Sequence, residues 1–460
     1  MRNKAAGSGC PVPLGEVTAP SGILLVVDTG QLRFWSHDRT PIMPEWASDE
    51  ETVASANSQV DFRIEGPDAA AAGKAFDRQA NPFFLFDIPE HGIKTIQASF
   101  RRCIRSRDLD AHLVRLEKRV THRERVDLIR QAKPGGGEII FQGIPASVID
   151  GLPRDRPLAV VGEGMPEGPD QGRWRHIALL CNDSARIARS EEAGYTGVDY
   201  ARLMFADVDA LAQWQEESLD GLADFIFWGR DAKKVARRTK APQLGESEWG
   251  WVDLPEDDAF RHGRRVGKLC KKHRWALGRD FRPHSHHYLL MKQVRETETE
   301  SGTVEVGGAK MCGYMTSWGD GFFPVYRDLD EQGRLVRVRI DLGNDQIVQR
   351  QRKFEEWHFG AFALGAVVSR RVLDEGHPVC FLCREEPQNE NDSGWMVYAG
   401  DEPNEYADNH RNWRVVPLRE LISRDHSLEE ILRAPPWSAF VRKGPDDPFE
   451  RIADYFEEET

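Results

Sequence analysis

Short apolar runs alternate with charged stretches along the first half of the chain. Residues 23–27 read as a strand, joined across the turn signal Asp28-Thr-Gly30 to a second strand at 31–35. After an irregular polar stretch at 40–60, residues 69–76 have the composition of a short helix and 83–88 that of a strand. Charged, helix-compatible stretches follow at 97–120 and 123–132, stopped by Lys133-Pro-Gly-Gly-Gly137. Strands are expected at 138–141, 146–149, 174–181 and 200–206, then a helix over 207–215 capped by Asp207, a buried apolar run at 225–228 and a basic helix at 231–239. Residues 257–275 read as one long helix. The clearest alternation lies at 322–328 and 334–342, whose faces switch at every residue around Asp330-Glu-Gln-Gly333, so a hairpin is predicted.

Farther on, strands are expected at 378–384 and 394–399, a closing element at 415–422, and a capping-box helix from Ser427-Leu-Glu-Glu430 through Leu432. A last strand at 437–441 and an acidic amphipathic helix at 448–458 complete the chain. This mixture predicts an α+β protein with mixed, largely antiparallel sheets, flanking helices and several domains. The expected division is a mobile tail at 1–15, an α+β region at 16–245, a basic helix plus hairpin at 246–360 that can be continuous with it, and a last domain at 361–460.

Composition narrows the function. The 460 residues are 40% hydrophobic, ample for real cores, and the formal net charge of -13 argues against a general nucleic-acid binder while favouring attraction of a basic partner. No apolar run reaches the length of a membrane span, and no long apolar core follows Met1-Arg-Asn-Lys, so neither a membrane anchor nor a signal peptide is expected. Seven scattered cysteines fit reduced thiols in the cytoplasm. Cys380-Phe-Leu-Cys383 has the spacing of a metal or redox pair, but alternate positions of a strand face apart, which favours two small packed residues. No cofactor motif is present, so no cofactor is expected.

The strongest chemical signal is acid. Between Arg384 and His410 eight carboxylates face one fixed positive charge, with Trp395, Val397 and Tyr398 between the two acidic clusters. The run from Ser369-Arg-Arg-Val-Leu-Asp-Glu-Gly-His-Pro-Val through Arg384-Glu-Glu-Pro, Asp392-Ser-Gly-Trp, Gly400-Asp-Glu and Trp437-Ser-Ala-Phe440 resembles a bacterial immunity-protein domain of polymorphic toxin systems. The resemblance implies protection by binding a protein toxin or effector. An acidic lid docking over a basic toxin would raise the association rate. The partner-binding candidates are Glu385, Glu386, Asp392, Trp395, Asp401, Glu402 and Glu405, with Trp395 either an anchor or, as its place in a strand favours, a core residue. Upstream, the turn Gly319-Asp320-Gly321 and the aromatic strand after it resemble a second bacterial domain of unknown function, here with Phe322-Phe323-Pro324 as a departure.

Two other patterns compete. The helix at 257–275 carries Arg261, Arg264, Arg265, Lys268, Lys271, Lys272 and Arg274, which suit phosphates or simply a solvated face opposite Val266, Leu269 and Cys270. In Arg282-Pro-His-Ser-His-His-Tyr288, a strand would put His284 and His286 on one face, where they and Asp320 form the metal site of a hydrolase. A scaffold without partner is the third alternative. Non-enzymatic immunity is preferred.

Overall fold

The computed structural model describes residues 11–37, 54, 57–76, 81–182, 185–358 and 360–456. It divides the chain into two compact units, one up to Asn344 and one from Asp345. Both are α+β, and among the described residues every strand ladder is antiparallel except that of Gly365–Ser369 with Asp392–Tyr398. Strands Ser301–Val306 and Ala309–Met315 continue a sheet that holds Ile23–Asp28 and Gly136–Phe141.

The first unit is built on two six-stranded sheets. One runs Val12–Val17, Leu158–Gly164, Trp174–Leu180, Leu335–Asp341, Gly321–Leu329, Arg189–Val198; the other runs Ser301–Val306, Ala309–Met315, Arg202–Asp207, Ile23–Asp28, Ile144–Asp150, Gly136–Phe141. Ile23–Asp28 is buried at every position, as a central strand covered on both faces must be. The predicted hairpin forms with Val325 opposite Ile340 and Asp328 opposite Arg337. The expected tail is corrected at its end: Val12–Val17 pairs along Leu158–Gly164, while residues 1–10 lie outside the described residues.

Two smaller sheets complete this unit. Phe84–Ile88, Val60–Glu65 and His112–Arg115 form one, with helices Ala69–Phe76 and Ile93–Arg105. The continuous helix expected over 97–120 therefore breaks. It ends at Ser106, Asp108 takes a positive φ of 51°, and the chain returns as a strand because Val60–Glu65 offers a ladder. Helix His122–Ala132 starts with a capping box in which Thr121 and Glu124 exchange side-chain to backbone hydrogen bonds. Its Arg125 is buried and makes a bidentate pair with Asp87 at 2.8 and 2.9 Å, bonds the Ile140 carbonyl at 2.8 Å and reaches Asp61. Burial alone would raise the Asp87 carboxyl, but the Arg125 guanidinium holds it far below the usual carboxylate range.

The other small sheet orders Glu248–Pro255, Leu222–Trp228 and Gly278–Pro283, with helices Ala232–Thr239 and Glu256–His273 on it. Ala259 and Val266 pack inward beside Phe225, Phe227 and Val235. The basic side chains of the long helix face solvent, so amphipathicity accounts for them.

The second unit has one six-stranded sheet ordered Trp413–Pro417, Gly365–Ser369, Asp392–Tyr398, Phe381–Arg384, Ser438–Val441, Glu450–Ile452. Helices Asp345–His358, Leu418–Arg424 and Leu428–Ile431 accompany it. Three local expectations are corrected here. Residues 415–422 split into a strand end and a helix. Ser427 makes no side-chain cap. The terminal segment is a strand, Glu450–Ile452, because it pairs with Ser438–Val441; residues 457–460 lie outside the described residues.

Candidate functional site

In the second unit, backbone demands decide which acidic residues remain at the surface. Gly394 has a φ of 74°, and a Cβ there would lie 2.2 Å from the Glu385 carbonyl, so glycine is required. Asp392 accepts hydrogen bonds from Gly394 N and Gln388 N, each at 2.9 Å, and thereby ties the loop between Arg384 and Asp392 to its own strand. Glu402 accepts from Ala399 N at 2.8 Å and Gly400 N at 2.9 Å. Asp401 pairs with Arg371 at 2.7 Å. These three candidates build turns and an ion pair. Glu385, Glu386 and Glu405 are exposed.

Trp395 leaves the interface list. It is 0% exposed within the core, and its indole Nε1 donates to the Leu432 carbonyl at 3.1 Å. Among the described residues of this unit the most exposed aromatic is Trp437, at 57%. Its backbone N donates to the Arg384 carbonyl at 2.7 Å, which places it beside the Glu385-Glu386 loop, and its φ is 62°. A large residue in the left-handed region is an outlier that marks a special position. The sequence assigned Trp437 to a strand; the signal that would have singled it out was Ala434-Pro-Pro436 immediately before it.

Cys383 is buried and Cys380 half-buried, and both are free thiols. Burial pushes the Cys383 thiol up to about 11, the opposite of a reactive thiolate.

In the first unit the structure does not assemble His284, His286 and Asp320. The predicted strand ends at Pro283, and Ser285 caps helix His286–Glu296 by accepting from Tyr288 N. His286 accepts from Gln215 N at 3.0 Å through Nδ1, and Asp320 accepts from Ala201 N at 2.9 Å, the anchor of the Gly319-Asp320-Gly321 turn. His284 instead lies between Asp220, 3.1 Å from Nδ1, and Asp224, 3.2 Å from Nε2, with Asp253 3.8 Å away. Asp224 also accepts from the Tyr288 hydroxyl at 3.0 Å. Burial would lower the His284 pKa, but its hydrogen bonds to both aspartates raise it. Asp224, Asp253 and His284 are grouped closely enough to hold a cation. With both ring nitrogens on carboxylates, an imidazolium satisfies the same geometry.

Residues 366–453 match the family model of the Imm33 immunity protein domain. The match spans the six-stranded sheet from Gly365–Ser369 to Glu450–Ile452, so the chain carries an immunity-type domain in its second unit. The preceding residues are covered by no family, which leaves the second resemblance resting on its hairpin. No curated protein and no solved structure matches the chain. An immunity domain implies, in general, a toxin protein as partner. Among the described residues no helix is long and apolar enough to cross a membrane.

Proposed function

We propose that this is a cytoplasmic, non-enzymatic immunity protein of a polymorphic toxin system, which binds and neutralises a basic protein toxin through its second unit. The observation that carries the reading is the family match over residues 366–453, with exposed Trp437 next to the acidic Glu385-Glu386 loop. In this reading Trp437 is the apolar anchor, and Glu385, Glu386 and Glu405 supply the charge that steers a cationic partner. Asp392, Asp401 and Glu402 shape the loops and meet the toxin only indirectly.

Co-expression of the chain with toxic gene products encoded beside it tests the proposal. Rescue from toxicity together with a stoichiometric complex is the expected result. Rescue that survives Trp437→Ser combined with Glu385→Lys and Glu386→Lys would remove this surface from the mechanism.

A further inference from the structure

The first unit contains a cleft of about 250 Å³ lined by four arginines and two carboxylates. Arg33 comes from the 3-10 helix Thr29–Phe34, Arg202 from the start of Arg202–Asp207, Arg282 from Gly278–Pro283, and Arg295 from helix His286–Glu296. Four elements distant in sequence thus aim guanidinium groups at one space. The acids lining it are Glu216 and Asp280, and Asp280 already pairs with Arg282 at 2.6 Å. Among the described residues, Arg33, Arg202 and Arg295 have no carboxylate at ion-pair distance, and the buried Nε atoms of Arg33 and Arg202 have no hydrogen-bond partner. Buried guanidinium donors left unpaired are costly, which makes their convergence informative.

The walls are held rigidly. Asp28 is fully buried and accepts from Gly30 N at 2.8 Å, Asp199 N at 2.7 Å and Tyr200 N at 2.9 Å. That fixes the 3-10 helix and the Tyr200 loop against each other. The Tyr200 ring lies on Gly30, where a Cβ would come within 2.5 Å of it. Its hydroxyl accepts from Arg33 at 2.8 Å, and Arg33 and Arg202 sit 5.7 and 5.4 Å from its centroid. Tyr200 nevertheless remains 39% exposed at the cleft.

We propose that this cleft binds a phosphate monoester, whose dianion Arg33, Arg202 and Arg295 neutralise while the exposed part of Tyr200 contacts the group carried by the ester. Guanidinium forks match phosphate oxygens in pairs, and three of them suit a dianion better than a single carboxylate. The electrostatics agree. Burial draws Arg202 and Arg295 below the ordinary arginine value; neighbouring arginines add to it, while Asp28 beside Arg202 and Asp280 beside Arg295 oppose it. Burial, with Arg202, Arg295 and Arg33 behind it, pushes the His287 pKa down to about 3, leaving a neutral ring in the wall. Burial also pushes Glu216 up to about 7, so even the remaining acid offsets the cations incompletely. The proposal stands apart from the toxin-binding reading, since it concerns only the first unit.

Isothermal titration and thermal melting of the full chain test it, with inorganic phosphate, adenosine 5′-monophosphate and adenosine as probes at matched ionic strength. Phosphate and the monophosphate are expected to bind saturably and raise the melting temperature, while adenosine does neither. Arg202→Gln is expected to weaken phosphate binding by about tenfold or more. Arg295→Gln gives the same readout if Arg202→Gln folds poorly. Tighter binding of the monophosphate, abolished by Tyr200→Ala, identifies a nucleotide-like source; equal affinities identify free phosphate. Absence of saturable binding at millimolar phosphate and monophosphate, or binding unchanged in both arginine variants, overturns the proposal.

Discussion

Replacing Arg125 by Met tests the electrostatic joint between the sheet of Val60–Glu65 and the rest of the first unit. The Arg125 side chain is 1% exposed, and it spans Asp87 and Asp61 of that sheet and the Ile140 carbonyl of the larger one. Its guanidinium also lies 4.2 Å from the Phe86 ring centroid. Met fills much of the volume but strands two buried carboxylates. Breaking a buried pair from one side costs about 3–5 kcal/mol, and the lower end applies here because Arg119 still reaches Asp87 at 2.7 Å. Equilibrium unfolding of a two-unit chain is not two-state, so the readout is native-state amide exchange along Val60–Glu65 and Phe84–Ile88. A loss of about 3 kcal/mol speeds exchange there roughly a hundredfold. Adding Asp61→Asn and Asp87→Asn should recover more than half of the loss, since the cost lies in uncompensated charge. Exchange within threefold of wild type, or no recovery in the triple variant, refutes the argument.

The other predictions concern the candidate sites. Glu385→Lys with Glu386→Lys should leave stability within about 0.5 kcal/mol while slowing toxin association on the order of tenfold at low salt, measured by stopped flow. Trp395→Ala should cost about 3–5 kcal/mol, read by native-state amide exchange along Asp392–Tyr398, whereas Trp437→Ala should cost under about 1 kcal/mol and act on complex dissociation instead. Gly394→Ala should destabilise the same unit by about 2 kcal/mol or more, since it meets both the left-handed backbone and the Glu385 carbonyl. For His284, the raised folded pKa means that its stabilisation is complete below the unfolded value near about 6.5 and is lost as pH rises through the folded value. Melting temperatures measured from pH 6 to 9 should fall in the wild type and stay flatter in His284→Gln; parallel curves would show that the imidazolium is not stabilising.

Periodicity was a reliable guide where an element is specified by its own residues. The hairpin of Gly321–Leu329 and Leu335–Asp341 could be read from alternation, and helices Ala69–Phe76 and Glu256–His273 from composition and amphipathicity. The immunity-type motif was legible for the same reason, because Gly394 and Gly400 occupy positions whose positive φ values of 74° and 96° dictate the residue locally. Where the motif's acids acquire local backbone partners, as at Asp392 and Glu402, sequence gave their presence but not their task.

Pairing between distant segments is what the sequence could not supply. Residues 31–35 look like a strand, yet Asp28 caps Gly30 N and the segment winds into a 3-10 helix. Residues 112–115 look helical in composition but become a strand because an edge of Val60–Glu65 awaits them. His284 was legible as a candidate, but its partners Asp220, Asp224 and Asp253 come from other elements, and Arg33, Arg202, Arg282 and Arg295 share a cleft although 262 positions separate the first from the last. The α+β class, the acidic balance and the immunity-type segment follow from local pattern, which sequence carries in full. Which tryptophan is exposed, which carboxylates are spent on turns and where these arginines meet depend on the packing of remote elements, which only the tertiary structure decides.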